Sequence, residues 1–400
     1  MRKILFFSIL FLWTCSEGPT EPETNSFEEK TFGTSGIEAA YSVEETFDGG
    51  YILAGTTSTY GFLDNDMYLV KTDMFGNEIW SKSFSGIEAG STPIGSFYSV
   101  DKAYSVKQTF DGGYILGGYK QEGDAIYEMY LVKTDVSGNE MWNKKFSSSS
   151  NAGNSSSKAF SVEKTSDGGY ILGGHSDDYR MYLVKTDSSG NEIWNKKISG
   201  GSRILSLQQT SDGGYVLAGE GLSPYTDMYL VKTDASGNEM WSQTLSGGGG
   251  FGEHFSIEEN SDGGYIFVGY IKSPNSFEPH DMYLVKLDAS GNEMWSKTFG
   301  ESTMDEKAFS GTETSDGGYI LAGTKSNNDS SNRDMYVVKT DVSGNEMWSK
   351  TFGGNSGDIA FSIKGTSDGG YILAGYTYSF GAGYSDMYLV KINSKGNRIF

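Results

Sequence analysis

The stretch that decides the fold is Asp316-Gly-Gly-Tyr-Ile-Leu-Ala-Gly323, together with Asp334-Met-Tyr-Val-Val-Lys-Thr-Asp-Val-Ser-Gly-Asn-Glu-Met-Trp348. Each part joins an apolar, β-rich run to a turn, Asp-Gly-Gly in the first and Asp-x-x-Gly-Asn in the second. Glycine and asparagine accept the left-handed backbone conformation that tight turns need, so both parts predict β-hairpins. With the residues before them, they predict four strands, named a, b, c and d, over 308–314, 319–323, 334–341 and 345–352.

This four-strand unit occurs seven times along the chain. Its Asp-Gly-Gly-Tyr motif begins at Asp48, Asp111, Asp167, Asp212, Asp262, Asp316 and Asp368. The intervals between these positions are 63, 56, 45, 50, 54 and 52 residues. A constant core with variable spacing is typical of repeat architectures, in which the insertions fall in loops.

Strand c reads Met-Tyr-Leu-Val-Lys in six copies and Met-Tyr-Val-Val-Lys in the other, so both of its faces are apolar. A sheet of this kind must be covered on both sides, and a propeller covers each blade with its two neighbours. The sequence therefore predicts an all-β fold, a seven-bladed β-propeller of four-stranded antiparallel blades over residues 27–400.

Two further positions fit the wedge shape of a propeller blade. Strand a, next to the crowded axis, carries a small residue at one place in every copy: Ser42, Ser105, Ser161, Ser206, Ser256, Ser310 and Ser362. Strand d, at the periphery, carries a large ring that can fill the space where blades diverge. These blade-docking residues are Trp80, Trp142, Trp194, Trp241, Trp295, Trp348 and, in the seventh copy, Phe400.

The two ends of the repeat region predict how the ring closes. The last copy stops at Phe400, while Lys30-Thr31-Phe32-Gly33 matches the segment that follows tryptophan elsewhere, as in Lys350 to Gly353. Pairing of these two halves would join the first blade to the last and remove an open sheet edge. An open solenoid, or a truncated longer chain, is the alternative.

The N-terminal residues differ from the repeats. Arg2 and Lys3 precede an apolar run over 4–13, and Cys15, the only cysteine in the chain, follows it. This layout is typical of a signal peptide over 1–15, with a polar tether over 16–26. The end of the run resembles a bacterial lipobox, which implies a lipid-anchored protein of the outer membrane or cell surface. A secreted protein with an incidental cysteine is the alternative.

The segment from Met228 to Trp241 resembles the tryptophan-docking repeat of quinoprotein-like bacterial propellers, which carries an Asp-x-x-x-Gly-x-x-x-Trp pattern; this segment has Asp-x-x-Gly-Asn-Glu-x-Trp. The resemblance covers strands c and d and implies the fold, since one fold hosts many activities. Quinoprotein dehydrogenases have eight blades and often an adjacent cysteine pair, and neither feature is present. The anchor and the repeat style also resemble the eight-bladed lipoprotein that helps assemble outer-membrane proteins.

In such a blade the a–b and c–d turns fall on one face, here called the turn face. The b–c and d–a connections fall on the other, the loop face, and only these connections vary in length and chemistry. Variable loops on a regular scaffold are where repeat proteins place recognition. The candidate ligand residues of this face are Tyr60, Phe62, Asp64, Tyr127, His175, Asp177, Asp178, Tyr179, Tyr225, Phe277, His280, Arg333, Tyr378, Phe380 and Tyr384. The alternative is that the aromatic residues pack against their own loops.

A set of charged residues precedes the methionine of strand c on the same face: Asp66, Glu128, Arg180, Asp227, Asp281, Asp334 and Asp386. Six carboxylates around one axis suggest a cation or a basic ligand, and the alternative is that they cap turns. No cofactor is predicted, and a bound cation on the loop face stays open.

Catalytic signals are weak. The three histidines, His175, His254 and His280, fall in different blades, and no nucleophile motif accompanies them. The chain has 52 acidic and 31 basic residues and a net charge of −21, which argues against nucleic acid as a partner. The resulting hypothesis is a monomeric, non-enzymatic envelope propeller that binds a glycan or a protein. The alternatives are a polysaccharide-active enzyme using loop-face carboxylates and an outer-membrane assembly factor.

Overall fold

The computed structural model describes residues 28–58, 65–84, 100–122, 126–149, 156–222, 227–245, 254–272, 280–327 and 332–400. Within these ranges the chain forms seven four-stranded sheets, and every paired strand is antiparallel to its neighbour. The predicted all-β, seven-bladed propeller is therefore confirmed. None of the described segments is a helix with the length and apolar character needed to cross a membrane.

Each blade follows the order a, b, c, d from the axis outwards, and the first strand of the chain, β1 (Lys30–Phe32), belongs to the last blade. The others in chain order are β2 (Ile37–Glu45), β3 (Tyr51–Ser58), β4 (Asp66–Thr72), β5 (Glu78–Phe84), β6 (Lys102–Gln108), β7 (Tyr114–Glu122), β8 (Ile126–Thr134), β9 (Glu140–Phe146), β10 (Lys158–Lys164), β11 (Tyr170–His175), β12 (Met181–Thr186), β13 (Glu192–Ile198), β14 (Gly201–Gln209), β15 (Tyr215–Gly221), β16 (Met228–Thr233), β17 (Glu239–Leu245), β18 (Ser256–Glu259), β19 (Tyr265–Lys272), β20 (His280–Leu287), β21 (Glu293–Phe299), β22 (Asp305–Glu313), β23 (Tyr319–Ser326), β24 (Arg333–Thr340), β25 (Glu346–Phe352), β26 (Asp358–Gly365), β27 (Tyr371–Thr377) and β28 (Asp386–Ile392).

The ring closes between the two ends of the described chain. β1 pairs with β28, with Lys30 opposite Leu389 and Phe32 opposite Met387. Beyond β28 the chain turns back, and the backbone N–H of Lys391 donates to the carbonyl of Phe400 at 3.0 Å. The two halves of the seventh strand d thus come from opposite ends of the sequence, as predicted.

The hydrophobic core consists of seven clusters, one at each blade interface. In the first interface, Met67 and Leu69 of strand c pack with Val106 and Leu116 of the next blade. All four are essentially inaccessible to solvent. This arrangement explains why strand c is apolar on both faces, because each face covers a different neighbour.

The blade-docking rings lie between adjacent blades near the periphery. The ring of Trp194 lies 6.1 Å from that of Tyr215, the motif tyrosine of the following blade. It also lies under the c–d turn of that blade, where Gly237 has φ +74°. A Cβ on Gly237 would come within 2.8 Å of the indole, so this position requires glycine for both space and conformation.

The second-to-last residue of strand c is a lysine that the sequence pattern alone did not explain. Its ammonium reaches the aspartate of the Asp-Gly-Gly turn in its own blade in all seven copies. In blade 6, Lys339 is 2% exposed, and its Nζ lies 2.9 Å from Asp316 Oδ1 and 2.8 Å from the carbonyl of Thr340. The ammonium of the strand-c lysine therefore holds the aspartate of the turn.

Candidate functional site

The axis of the propeller is a cavity of about 280 Å³ lined by strand a of every blade. In six blades a β-bulge lies immediately before the shared serine of this strand. A bulge inserts one extra residue and turns its side chain away from the sheet pattern. The residues placed on the axis in this way are Tyr41, Tyr104, Phe160, Leu205, Phe309 and Phe361.

Below these side chains, toward the turn face, the shared serines form a ring of hydrogen bonds between blades. Each serine hydroxyl bonds to the backbone of strand a in the next blade, at 3.2–3.5 Å. The pairs are Ser42 with Val106, Ser105 with Val162, Ser161 with Leu207, Ser206 with Ile257, Ser256 with Gly311, Ser310 with Ile363, and Ser362 with Val43. The serine therefore links adjacent blades as well as fitting the narrow axis.

A layer of charged side chains lies one step further toward the turn face. Lys107 Nζ is 2.8 Å from Glu163 Oε1, and Lys364 pairs with Glu258. Burial alone would lower the pKa of Lys107, but the carboxylates of Glu163 and Glu44 raise it, so the ammonium stays charged. Each of the two ammonium groups in this layer is thus paired with a carboxylate.

His254 lies across the axis at the level of the aromatic residues. It belongs to the fifth blade, as His280 does in β20, so the prediction that the three histidines fall in different blades is wrong. Its ring lies 4.4 Å from Phe361, 5.7 Å from Phe309 and 6.0 Å from Tyr41. Burial, followed by the positive charges of Arg203 and Lys102, lowers the pKa of His254 to about 3. The imidazole is thus neutral at physiological pH and packs as an aromatic ring among the axial side chains.

A second cavity, of about 350 Å³, opens on the loop face between blades 2, 3 and 4; we call it the loop-face pocket. It shares Tyr104 and Phe160 with the axial cavity, so the two spaces adjoin at these rings. Its size lies in the range of small-ligand sites, about 300–1,000 Å³. It is lined by the rings of Tyr104, Tyr119, Tyr127, Phe160, His175 and Tyr179 and by the polar side chains of Lys102, Ser156, Lys158 and Arg203.

Three of the predicted ligand residues meet in this pocket: Tyr127, His175 and Tyr179. The rings of His175 and Tyr179 stack at 5.2 Å with an interplanar angle of 14°. Burial, and then the charges of Lys158 and Arg203, lower the pKa of His175 to about 4. His175 is therefore neutral, and its Nδ1 lies 3.0 Å from the carbonyl of Ser176, to which it donates.

The turn over 176–180 fixes the position of Tyr179. Tyr179 N–H donates to the Ser176 carbonyl at 3.0 Å, and Ser176 N–H donates to the Arg180 carbonyl at 2.9 Å. Lys197 forms ion pairs with both aspartates of the turn. Its Nζ lies 2.8 Å from Asp178 Oδ1 and 3.5 Å from Asp177 Oδ1. Tyr179 has φ +53°, a conformation that is uncommon for a residue other than glycine. The predicted residues Asp177, Asp178 and Arg180 thus support the turn, and Tyr179 remains 62% exposed.

The remaining described candidates do not join this pocket. Asp386 accepts the backbone N–H groups of Ala382 and Gly383 at 3.0 and 3.1 Å, which is the capping role given above as the alternative to cation binding. The others are distributed over the loop face of blades 1, 2 and 4–7: Asp66, Glu128, Asp227, His280, Asp281, Arg333, Asp334, Tyr378, Phe380 and Tyr384. Tyr60, Phe62, Asp64, Tyr225, Phe277 and Cys15 lie outside the described residues.

His280 forms a separate pair on the opposite side of the ring. Its Nδ1 lies 2.7 Å from Asp305 Oδ1, and Lys307 Nζ lies 3.0 Å from Asp305 Oδ2. Burial alone would raise the pKa of Asp305, but the hydrogen bonds from His280 and the charge of Lys307 lower it to about 2. In the described part of the chain, no three histidine, aspartate or glutamate side chains come together closely enough to hold a metal ion.

Asp334 and Asp358 form a pair of acids at the interface of blades 6 and 7. A Cβ on Gly353 would lie 2.5 Å from an oxygen of each carboxylate, so glycine leaves the space between them. Burial raises the pKa of Asp334, and the charge of Asp358 raises it further. A raised pKa in the folded state means that this group favours folding below its ordinary pKa, and that this contribution is lost as the pH rises.

We therefore expect Asp334→Asn to raise the melting temperature at pH 7 and to have a smaller effect at pH 4, where Asp334 is increasingly protonated. The measurement is thermal unfolding followed by circular dichroism at both pH values. Asp341→Asn is the control, because hydrogen bonds from Asn345 lower the pKa of Asp341, and its replacement should reduce stability at pH 7. A stabilisation by Asp334→Asn of the same size at both pH values would contradict the assigned repulsion.

The sequence reasoning missed Lys102, Lys158 and Arg203, which line the pocket. All three stand three residues before the shared serine, in blades 2, 3 and 4. They lie on strand a, at its loop-face end, whereas the predicted ligand residues come chiefly from the b–c loops. The signal that could have found them is a basic residue at the same repeat position in three consecutive blades.

No protein-family model matches the chain, and no curated protein matches its sequence. Among solved structures, the BP39L lectin from Burkholderia pseudomallei is similar with a TM-score of 0.58 and 8% identity, over 91% of this chain and 98% of the lectin. Sqt1 from Chaetomium thermophilum, bound to the N-terminus of ribosomal protein L10, is similar with a TM-score of 0.51 and 11% identity, over 93% of this chain and 90% of Sqt1. A streptogramin B lyase is similar with a TM-score of 0.53 and 10% identity, over 91% of this chain and 97% of the lyase. Similarity at these identities shows the propeller fold alone, and that fold is shared here by binding proteins and an enzyme.

Proposed function

We propose that this protein is a non-enzymatic binding propeller of the bacterial cell envelope, which takes its ligand at the loop-face pocket. The observation that carries the proposal is the convergence of six aromatic rings from neighbouring blades on one cavity that adjoins the axis. Aromatic rings held by a rigid scaffold supply contact area at low entropic cost, which is how aromatic residues dominate binding sites.

The chemistry of the pocket favours binding over hydrolysis. Glycoside hydrolysis by carboxylates needs two acids that flank the scissile bond. Among the described residues that line the pocket there is no aspartate or glutamate. Of the predicted loop-face acids nearest to it, Asp177 and Asp178 are engaged by Lys197.

The proposed envelope location rests on the signal-like N-terminus and Cys15, and the position of the first described residues gives it a consistent geometry. Lys30 Nζ donates to Asn77 Oδ1 at 2.9 Å and to Glu28 at 2.7 Å. Asn77 belongs to the c–d turn of the first blade, so the side chain of Lys30 reaches the turn face. A lipid on Cys15, joined through the tether over 16–26, would hold the turn face toward the membrane and leave the loop-face pocket open to ligand.

The docking of each tryptophan under the glycine of the next c–d turn supports the proposed relationship to tryptophan-docking propellers. The lectin and the L10-binding propeller among the solved structures support a binding role for a ring of this size. Neither of them assigns a ligand to this chain.

A glycan array and a set of immobilised envelope proteins, probed with the purified propeller, test the proposal. We expect Tyr127→Ala and Tyr179→Ala to weaken binding of a captured ligand by about tenfold, which corresponds to about 1.4 kcal/mol. Tyr384→Ala is the matched control, because this tyrosine is 71% exposed on the loop face of blade 7, away from the pocket.

Thermal unfolding of each variant verifies that the fold is retained. Equal binding by all three variants would place the ligand elsewhere and overturn the site. Cleavage of a bound polysaccharide by the purified protein, abolished by substitution of a loop-face carboxylate, would overturn the non-enzymatic role.

A further inference from the structure

The turn face carries exposed aromatic rings in two adjacent blades. Phe47 and Phe110 precede the Asp-Gly-Gly motifs of blades 1 and 2 and are 70% and 74% exposed. Phe75, in the c–d turn of blade 1, is exposed as well. A single exposed apolar side chain is common on a protein surface, whereas several large rings on one sector of a face mark an interaction site.

The other blades carry polar residues at the same positions. The residue before Asp-Gly-Gly is serine in blades 3–7: Ser166, Ser211, Ser261, Ser315 and Ser367. The residues that correspond to Phe75 in blades 2–7 are Ser137, Ser189, Ser236, Ser290, Ser343 and Lys395. The repeat therefore forms both turns without an aromatic ring at either position.

Phenylalanine also gives up a contact between blades that serine makes. Ser211 Oγ donates to Glu259 Oε1 of the next blade at 2.8 Å. In blade 1, the N–H of Phe47 donates to Gln108 Oε1 at 2.7 Å, but its side chain has no hydroxyl to add a second bond. Phe47 thus exposes apolar area to water where a serine would stabilise the ring of blades. A partner that removes this area from water accounts for the phenylalanine.

The three rings belong to one sector of the turn face. Tyr51 pairs with Thr72, so the a–b and c–d turns of blade 1 leave the same end of the blade. The hydrogen bond from Phe47 reaches Gln108, two residues before Phe110, so the a–b turns of blades 1 and 2 adjoin. A cavity of about 320 Å³ beside Phe110 extends the apolar surface, with a wall formed by Met141, Trp142 and Tyr170.

The N-terminal part of the chain reaches this sector. Lys30 Nζ donates to Asn77 Oδ1 at 2.9 Å, and Asn77 lies two residues after Phe75 in the same turn. Residues 16–27 separate Cys15 from Glu28, and a chain of this length spans at most about 45 Å. A lipid on Cys15 would therefore keep the surface of a membrane close to the sector that carries the exposed rings.

We propose that the turn face of blades 1 and 2 contacts a phospholipid bilayer directly, with the rings of Phe47, Phe75 and Phe110 inserted among the headgroups. This inference rests on the proposed envelope location and adds a second membrane contact to the lipid anchor. Apolar side chains bind to the interfacial region in proportion to the apolar area that they bury there. Because the chain has a net charge of −21, this contact suits zwitterionic lipids better than anionic ones.

The test uses a fluorophore that is sensitive to polarity, attached to the cysteine of Val136→Cys in blade 2 or of Val342→Cys in blade 6. These valines take the same position in the c–d turn and are 62% and 64% exposed, so the two labelled proteins differ in the sector that they report. The full lipidated chain is reconstituted on phosphatidylcholine vesicles. We expect the emission to shift to shorter wavelength at position 136 and to stay unchanged at position 342.

Two further measurements verify the anchor and the label. Flotation of the parent protein with the vesicles reports the anchor. The parent protein should also take no label, because a lipid on Cys15 blocks the only thiol of the natural chain.

A variant with Phe47→Ser, Phe75→Ser and Phe110→Ser tests the rings themselves. Serine is the residue that the repeat carries at these positions in most blades, so we expect the fold to be retained, and thermal unfolding verifies this. The shift at position 136 should be lost, while flotation persists through the lipid. Tyr384→Ser is the matched control, because it removes an exposed ring from the loop face and should leave the shift unchanged.

The outcomes separate the membrane contact from the proposed envelope location. Flotation without a shift at position 136, or a shift that survives the three serine substitutions, overturns the contact and leaves an anchored propeller. Equal shifts at positions 136 and 342 overturn the assigned sector. A shift at position 136 that needs no vesicles and grows with protein concentration assigns the rings to a second copy of the chain and overturns the bilayer. Failure of the parent protein to float overturns the anchor and the contact together.

Discussion

Replacing Phe400 by alanine is expected to lower the free energy of unfolding by about 3–5 kcal/mol, the range found for buried Phe→Ala changes. Phe400 is 7% exposed and takes the place that tryptophan has in the other blades. Its ring lies 6.3 Å from that of Tyr51 in the first blade, and it belongs to the cluster that joins blades 7 and 1. The substitution therefore leaves a cavity at the closure of the ring.

Ile399→Ala is the matched control. Ile399 is the adjacent residue, and its backbone N–H donates to the Lys391 carbonyl at 2.7 Å, so both positions belong to the same strand pairing. Its side chain is 47% exposed, and we expect its loss to change stability by about 0.5 kcal/mol or less. The measurement is urea unfolding of both variants, with the slope of the transition compared to that of the parent protein. Similar losses in both variants would contradict the closure role of the Phe400 ring.

Most of the fold could be predicted because its determinants are local and repeated. The Asp-Gly-Gly turn, the apolar strand c and the tryptophan occur at fixed offsets in each copy, so seven units, their strand order and the shared last blade could be inferred. Strand boundaries differed by a few residues; strand b of blade 6, for example, continues to Ser326, beyond the predicted end at Gly323. The extra length comes from pairing with strand c, and the β-propensity of the residues does not predict this pairing.

The candidate site could be predicted only in part, for a physical reason. The bulges that place Tyr104 and Phe160 on the axis depend on pairing between strands a and b, and alternation along one strand does not reveal them. The pocket itself belongs to three particular blades, and its chemistry comes from residues that differ between copies. Tyr127, His175 and Tyr179 were found because they fall at the variable b–c connections. Lys158 was missed because it begins strand a, where no ligand residues were predicted.

Replacing Asp316 by alanine is expected to lower the free energy of unfolding by about 2–4 kcal/mol, because it leaves the buried ammonium of Lys339 without its anion. The range is lower than for a fully buried ion pair because the Asp316 side chain is 55% exposed, and water screens the interaction between the two charges. Asp316 also accepts hydrogen bonds from Thr314 Oγ1 at 2.5 Å and from Gly318 N–H at 3.2 Å, so the turn loses two further contacts.

The pH dependence of this ion pair has a defined sign. Burial alone would raise the pKa of Asp316, but the hydrogen bonds from Thr314 and Lys339 lower it to about 2. A lowered pKa in the folded state stabilises the protein above the ordinary pKa of an aspartate, and this contribution is lost as the pH falls toward 2. The difference in stability between the parent protein and Asp316→Ala should therefore narrow on acidification.

The double variant Asp316→Ala, Lys339→Met separates the buried charge from the turn contacts. Methionine keeps most of the volume and apolar length of lysine and removes the ammonium, so the double variant should be more stable than Asp316→Ala alone. Urea unfolding at pH 7 measures all three proteins. If the double variant is as unstable as Asp316→Ala, the ammonium of Lys339 is solvated when Asp316 is absent. The seven aspartates would then stabilise the protein through the hydrogen bonds of the turn and not by neutralising the lysines. If stability is recovered, the aspartate of each Asp-Gly-Gly turn acts by neutralising the lysine that strand c buries beside it, and the same pair is present in all seven blades.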